Sequence, residues 1–167
     1  MFERVILGID PGTAATGVAV VMGGNGAPPR VAAAATIRTP AGSPEADRLL
    51  TLHRAIGALL ADHRPEATAI ERLMWGKNVG SAMSVARASG VALLASAERG
   101  VPIHEYAPLE VKLAVTGDGA ASKQHVRRAL ERLHRVDAVP SEPDAADAVA
   151  VALCHLQQSR ALRGAQG

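Results

Sequence analysis

Apolar and polar positions along the chain fall into short runs whose period changes. Val5-Ile6-Leu7-Gly8-Ile9 is an apolar run closed by Asp10-Pro11-Gly12, which predicts a strand ending in a turn. Residues 16–22 predict a second strand and residues 31–37 a third, with the turn-rich stretch 23–29 between them. Spacing this short makes the three an antiparallel meander. After a linker at 39–44 the period becomes helical, with Leu49, Leu52, Ile56, Leu59 and Leu60 lining one stripe between about residues 45 and 63. Residues 67–71 predict a strand ending in a carboxylate, 80–99 a helix rich in Ala, Ser and Gly, and 101–106 a short strand. Residues 116–120 predict a loop, Ser122 an N-cap for a basic helix, and residues from about 141 to 162 a last helix.

A meander followed by alternating strands and helices predicts an α/β fold, a mixed sheet of three antiparallel then two parallel strands covered by helices on both faces. Catalytic groups in such sheets gather at strand ends beside a crevice. A length of 167 residues suits one domain over 1–167, with the last few residues expected to be disordered. Hydrophobic residues at 48% and charged residues at 20% exclude a disordered chain. No apolar run reaches the ~18 to 20 residues of a membrane span, and the N-terminus lacks a signal-peptide layout. The one cysteine, Cys154, cannot form an internal disulfide, which fits a reducing cytoplasm; its apolar neighbours predict an inert core thiol.

Net charge is +2, too small an excess to argue for nucleic acid by itself. Its distribution adds more. Lys123, Arg127, Arg128, Arg132 and Arg135 face the single acid Glu131, with His125 and His134 beside them. Such a stripe either meets phosphate or is a solvated helix face. The chain has three lysines, Lys77, Lys112 and Lys123.

Four acids stand out. Asp10 and Glu71 each end an apolar strand, where a carboxylate is costly unless paired or bound to metal. Asp10 could instead start a turn, and Glu71 could mark where its strand surfaces. Asp144 and Asp147 are three apart on a predicted helix, so they share a face; Ala145, Ala146 and Ala148 keep that face low. A first-turn acid favoured by the helix dipole, boxed with Ser141, is the plainer reading of Asp144. His155 lies about three turns further on, too far to share a metal, and reads as structural. Oxygen ligands alone suit Mg²⁺ or Mn²⁺, and the lack of a Cys/His cluster argues against zinc. Two such ions can clamp the attacking and leaving oxygens of a phosphodiester, with no protein nucleophile needed.

Ile6-Leu7-Gly8-Ile9-Asp10-Pro11-Gly12 with Thr16-Gly17, Ala69-Ile70-Glu71 with Gly76-Lys77-Asn78, Tyr106-Ala107-Pro108-Leu109-Glu110-Val111-Lys112, Val115-Thr116-Gly117, Ala121-Ser122-Lys123 and Asp144-Ala145-Ala146-Asp147 together resemble the RuvC family of bacterial Holliday junction resolvases. The resemblance implies a ribonuclease H-like fold and a homodimer that resolves four-way DNA junctions by paired nicks, with branch-migration motor proteins as partners. It implies Asp10, Glu71, Asp144 and Asp147 as metal ligands, Asp10 bridging two ions with Glu71 on one side and Asp147 on the other. Lys112 and Lys123 match lysines near the family's active site, and the helix of residues 80–99 matches its dimer helix. At Met74 the relatives carry an aromatic; Trp75 either takes over stacking on an unpaired base or packs on protein.

Gly8-Ile9-Asp10-Pro11-Gly12-Thr13 also resembles the first phosphate loop of actin-like and sugar kinases, which need a second lobe and a second glycine-rich loop; this chain is expected to have neither. An inactive junction binder would not need all four acids. A ribonuclease H-like nuclease acting on RNA or on flaps remains open at this point.

Overall fold

Successive side chains of a strand point to opposite faces, so a strand apolar at every position from Val5 to Ile9 must be covered on both. The computed structural model, which describes residues 3–24, 26–73 and 79–164, puts this strand, β1 (Arg4–Asp10), at the centre of a five-stranded sheet. The other strands are β2 (Ala15–Gly24), β3 (Ala27–Arg38), β4 (Ala67–Glu71) and β5 (Ile103–Tyr106), in the order β3-β2-β1-β4-β5. β1, β2 and β3 are antiparallel, and β4 and β5 join in parallel, the mixed sheet expected from the hydrophobic pattern.

Two helical layers cover it. α1 (Glu45–His63) and α2 (Val79–Ala97) bury Leu52, Ile56 and Leu60, and Ala88, Ala92 and Ala95, against Leu7, Ile9, Val18 and Val20. On the other face lie α3 (Pro108–Thr116), α4 (Lys123–Arg128) and the long α5 (Pro143–Gly164). Ala148 to Leu153 of α5 pack on Ile6, Ala19 and Val21, with Val111 and Val115 of α3 and Val126 of α4 closing the same cluster.

The contact of α5 with the sheet is unusually close because glycines floor it. A Cβ added at Gly8 would stand 2.1 Å from the Ala148 carbonyl oxygen, and one at Gly17 would stand 1.8 Å from that of Asp144. Helix backbone therefore lies directly on strand backbone at two points, with only alanines between.

Several elements differ from the pattern. β3 starts at Ala27 and so takes in Pro28 and Pro29, which the sequence assigns to a turn. Proline is tolerated there because β3 is the sheet edge, where a missing N–H removes no ladder bond. Hydrophobic period does not single out α3. Its start is set by Pro108 in the first turn and by Glu110, whose carboxylate accepts the Ala107 N–H at 2.7 Å. The basic helix begins after its Ser122 cap as expected, the hydroxyl accepting the His125 N–H at 3.2 Å. It does not run unbroken to Arg135: after Arg128 it widens into a π-helical turn, Ala129–Leu133, which turns Leu130 into the core ahead of a buried Val136. α2 stops at Ala97 and β5 starts at Ile103, because a turn closed by Gly100 at φ +65° lies between them. The end expected to be disordered, 165–167, lies outside the described residues.

Gly17→Ala tests the close contact. A methyl group overlapping the Asp144 carbonyl forces α5 away from the sheet, so stability falls by about 1–3 kcal/mol and Asp144 and Asp147 withdraw from Asp10. Urea unfolding should show the loss of stability; wild-type stability would contradict the packing argument.

Candidate active site

Strand parity decides which acids can meet. Ile6 and Gly8 face α5, so Asp10, two residues further, does too. On β4 the same parity carries Ala67 and Ala69 to that face, and then Glu71. Ile9 pairs with Ile70 across β1 and β4, so Asp10 and Glu71 end neighbouring strands side by side. Gly17, the partner of Asp10 on β2, admits the backbone of Asp144, which brings the first turn of α5 over the same strand end. Carboxylate oxygens of Asp10, Asp144 and Asp147 lie within 4.8 Å of one another, and Glu71, on the strand end beside Asp10, is near enough to interact with Asp10 and Asp147. The Lys123 ammonium donates to Asp147 Oδ2 at 2.7 Å.

Electrostatics make this arrangement costly. At an effective dielectric of ~20, two unit charges this close repel by roughly 3 kcal/mol. Burial pushes the Asp10 carboxyl up to about 8, with repulsion from Glu71, Asp147 and Asp144 adding to it. Burial, then Asp147, also raises Glu71; interaction with Asp10, Lys123 and Lys112 partly offsets this. Lys123 is held protonated above its ordinary range, first by its bond to Asp147. Its side chain is 75% exposed, however, and an exposed pair contributes about 0–1 kcal/mol, too little to balance the acids. The cluster calls for a more strongly charged counter-ion than one ammonium.

The model of a family described as Crossover junction endodeoxyribonuclease RuvC matches residues 6–155. The chain belongs to the RuvC family. It is 47% identical over 154 residues to crossover junction endodeoxyribonuclease RuvC of Alkalilimnicola ehrlichii, covering 92% of each protein. Against the Chloroflexus aurantiacus protein of the same name it is 45% identical over 149 residues, covering 89% of this chain and 90% of that one. Among solved structures it is similar to Thermus thermophilus RuvC in complex with Holliday junction substrate, with a TM-score of 0.88, 32% identity and coverage of 94% of this chain and 95% of the other. The mixed sheet is thus the ribonuclease H-like sheet of RuvC.

The donor set fits what a metal-dependent RuvC nuclease needs. Asp10, Glu71, Asp144 and Asp147 offer only carboxylate oxygens, and the raised Asp10 and Glu71 show that the site favours a cation or a proton. The remaining sequence candidates separate. Lys112, on α3, is near enough to favour the charged form of Glu71. Glu110 is engaged elsewhere: it caps α3 and stands 3.6 Å from Arg72. His155 is buried away from the acids. Tyr106 Oη is 2.7 Å from its Nδ1, His104 stacks on it with ring centroids 4.5 Å apart, and burial pushes it down to about 4. Cys154 is buried, and burial raises its thiol to about 12, an inert group. Residues 74–78, with Met74, Trp75 and Lys77, lie outside the described residues. Gly8 and Gly17, on which the whole geometry depends, are missed by any search for chemical groups; the signal is a glycine inside an otherwise apolar strand.

Linkage gives a test without DNA. Folded Asp10 holds its proton more tightly than the unfolded chain, whose carboxyl titrates near 3.8. The folded state therefore binds more protons across that window, and metal-free stability falls as pH rises from about 4 toward about 8. Asp10→Asn removes the charge and with it this penalty, which grows by about 1.4 kcal/mol for each pH step of one across the window. In EDTA the variant should melt above wild type at pH 8 and level with it near pH 4; equal melting at pH 8 would show Asp10 is not strained.

Proposed function

We propose that this chain resolves four-way DNA junctions as a homodimer, each subunit nicking one of two like strands through metal-dependent phosphodiester hydrolysis. The convergence of Asp10, Glu71, Asp144 and Asp147 at one sheet end, in a chain of the RuvC family, carries the reading. It is supported by the similarity to a RuvC whose structure contains junction DNA.

The four acids would hold two Mg²⁺ or Mn²⁺ ions. Bound there, the ions supply a nucleophilic water at neutral pH and neutralise charge developing on the scissile phosphate. The protein's part is to hold the four carboxyl groups in place before substrate arrives. Packing does this: two acids sit on strand ends and two on a helix fixed to the same strands. Lys123, exposed at the mouth of the site, turns from Asp147 to the phosphate; Lys112 adds positive charge on the Glu71 side. Arg128, Arg132 and Arg135 are exposed on the neighbouring segment and contact flanking phosphates.

Homodimerisation uses α2. Met83, Arg87, Gly90 and Leu94 recur at spacings of four, three and four along its exposed side, and Met83 and Leu94 are 53% and 56% exposed. A stripe of this spacing packs against a second helix. Branch-migration motor proteins are its expected partners, in the cytoplasm.

A synthetic four-way junction and a linear duplex of the same sequence, each with and without Mg²⁺ or Mn²⁺, test the reading. Paired symmetric nicks on the junction alone, dependent on metal, are expected. Asp10→Asn should cut about 10²- to 10³-fold more slowly while still binding the junction. Lys123→Ala should slow cleavage more than it weakens binding; equal losses would make it a plain phosphate contact. Cutting of RNA or flaps in preference to junctions would overturn the assignment.

A further inference from the structure

The turn that follows Asp10 is held by a chain of side-chain hydrogen bonds that no metal-binding argument requires. Gly12 lets the turn close, since a Cβ there would stand 2.5 Å from the Ala15 carbonyl oxygen. The Thr16 hydroxyl spans it, donating to the Gly12 carbonyl and accepting the Gly12 N–H at 3.2 Å. Thr13, three residues after Asp10 and 4% exposed, reaches out of the turn to α2. Its hydroxyl donates to the Ser84 carbonyl at 2.7 Å and accepts the Ser84 hydroxyl at 2.5 Å. On its other side, the Thr13 carbonyl accepts the Thr39 hydroxyl at 2.6 Å, and Thr39 accepts Arg48 Nε at 2.8 Å. Such a buried network, with its members satisfied, fixes one geometry; a broken one leaves donors unpaired.

Ser84 follows Met83, which lies on the exposed stripe of α2. One residue of α2 therefore faces outward and the next grips the Asp10 turn. We infer that Thr13 and Ser84 are positioning residues, tying the Asp10 turn to α2 so that a second subunit packed on α2 bears on the metal-binding acids. The link to a second subunit rests on the homodimer proposed above. The bonds within one chain do not.

Thr13→Val removes the hydroxyl at nearly constant shape, and Thr13→Ser restores it. Thr13→Val should slow junction cleavage about 10- to 100-fold, the scale of a small misplacement of reacting groups, and should weaken Mn²⁺ binding measured by calorimetry without DNA. Junction affinity should stay within about twofold, and Thr13→Ser should behave as wild type. Wild-type cleavage and Mn²⁺ affinity in Thr13→Val, or equal losses in Thr13→Ser, would overturn the inference. Should Thr13→Val melt below the assay temperature, Ser84→Ala keeps one of the two bonds, and a smaller loss in the same direction is expected; no loss overturns it. The reach to the second subunit is read from a double-mutant cycle with Met83→Glu, which breaks the exposed stripe. Met83→Glu should weaken Mn²⁺ binding in wild type and add nothing in Thr13→Val; additive effects would confine the pair to its own subunit and refute the link. A wild type that binds Mn²⁺ with this coupling but cuts no junction would refute the proposed function and leave the positioning pair standing.

Discussion

Everything at this site depends on the close seating of α5 on β1 and β2. Gly8 and Gly17 remove the side chains that would otherwise hold a helix at ordinary distance, and the alanines of α5 remove them from the other partner. What remains is backbone against backbone, a contact with almost no slack, because interiors are packed to crystal-like density and cannot be compressed. The two aspartates of α5 are thereby carried to within ligand distance of one at the end of β1. No loop is asked to bring these three together.

This explains how a cluster of like charges can persist. The repulsion is local, a few kcal/mol at most for each pair, while the seating of α5 is secured along its length by core residues from Ala148 to Leu156. The helix cannot relax away from the strand end without opening that core. Destabilisation is therefore concentrated where a cation can relieve it, a trade of stability for function common at active sites.

Much of this was legible in the chain. The strand meander and the order of the strands follow from period and turn residues. Asp10 and Glu71 stand out at strand ends and Asp144 and Asp147 on one helix face, while their grouping into one set rested on the resemblance to RuvC. That Asp10 and Glu71 share a face follows from parity once β1 and β4 are known to pair. Three things were not legible, each for a physical reason. The extent of β3 depends on its being a sheet edge, a tertiary property that reverses the usual meaning of Pro28-Pro29. The π-helical turn at Ala129–Leu133 arises from the need to bury Leu130 and Val136 together, which no single-helix period anticipates. The Thr13–Ser84 bonds join residues 71 positions apart, and small hydroxyls carry no local signal of a distant partner.

The prolines of β3 have one more effect. An open sheet has two edges on which a foreign strand can dock and build outward without limit. One edge here, β3, carries two residues without an N–H, Pro28 and Pro29, next to its start, and the other, β5, is only four residues long. Addition of a foreign strand is thus hindered where β3 begins and limited to a short ladder at β5, so the sheet is poorly suited to growing outward strand by strand.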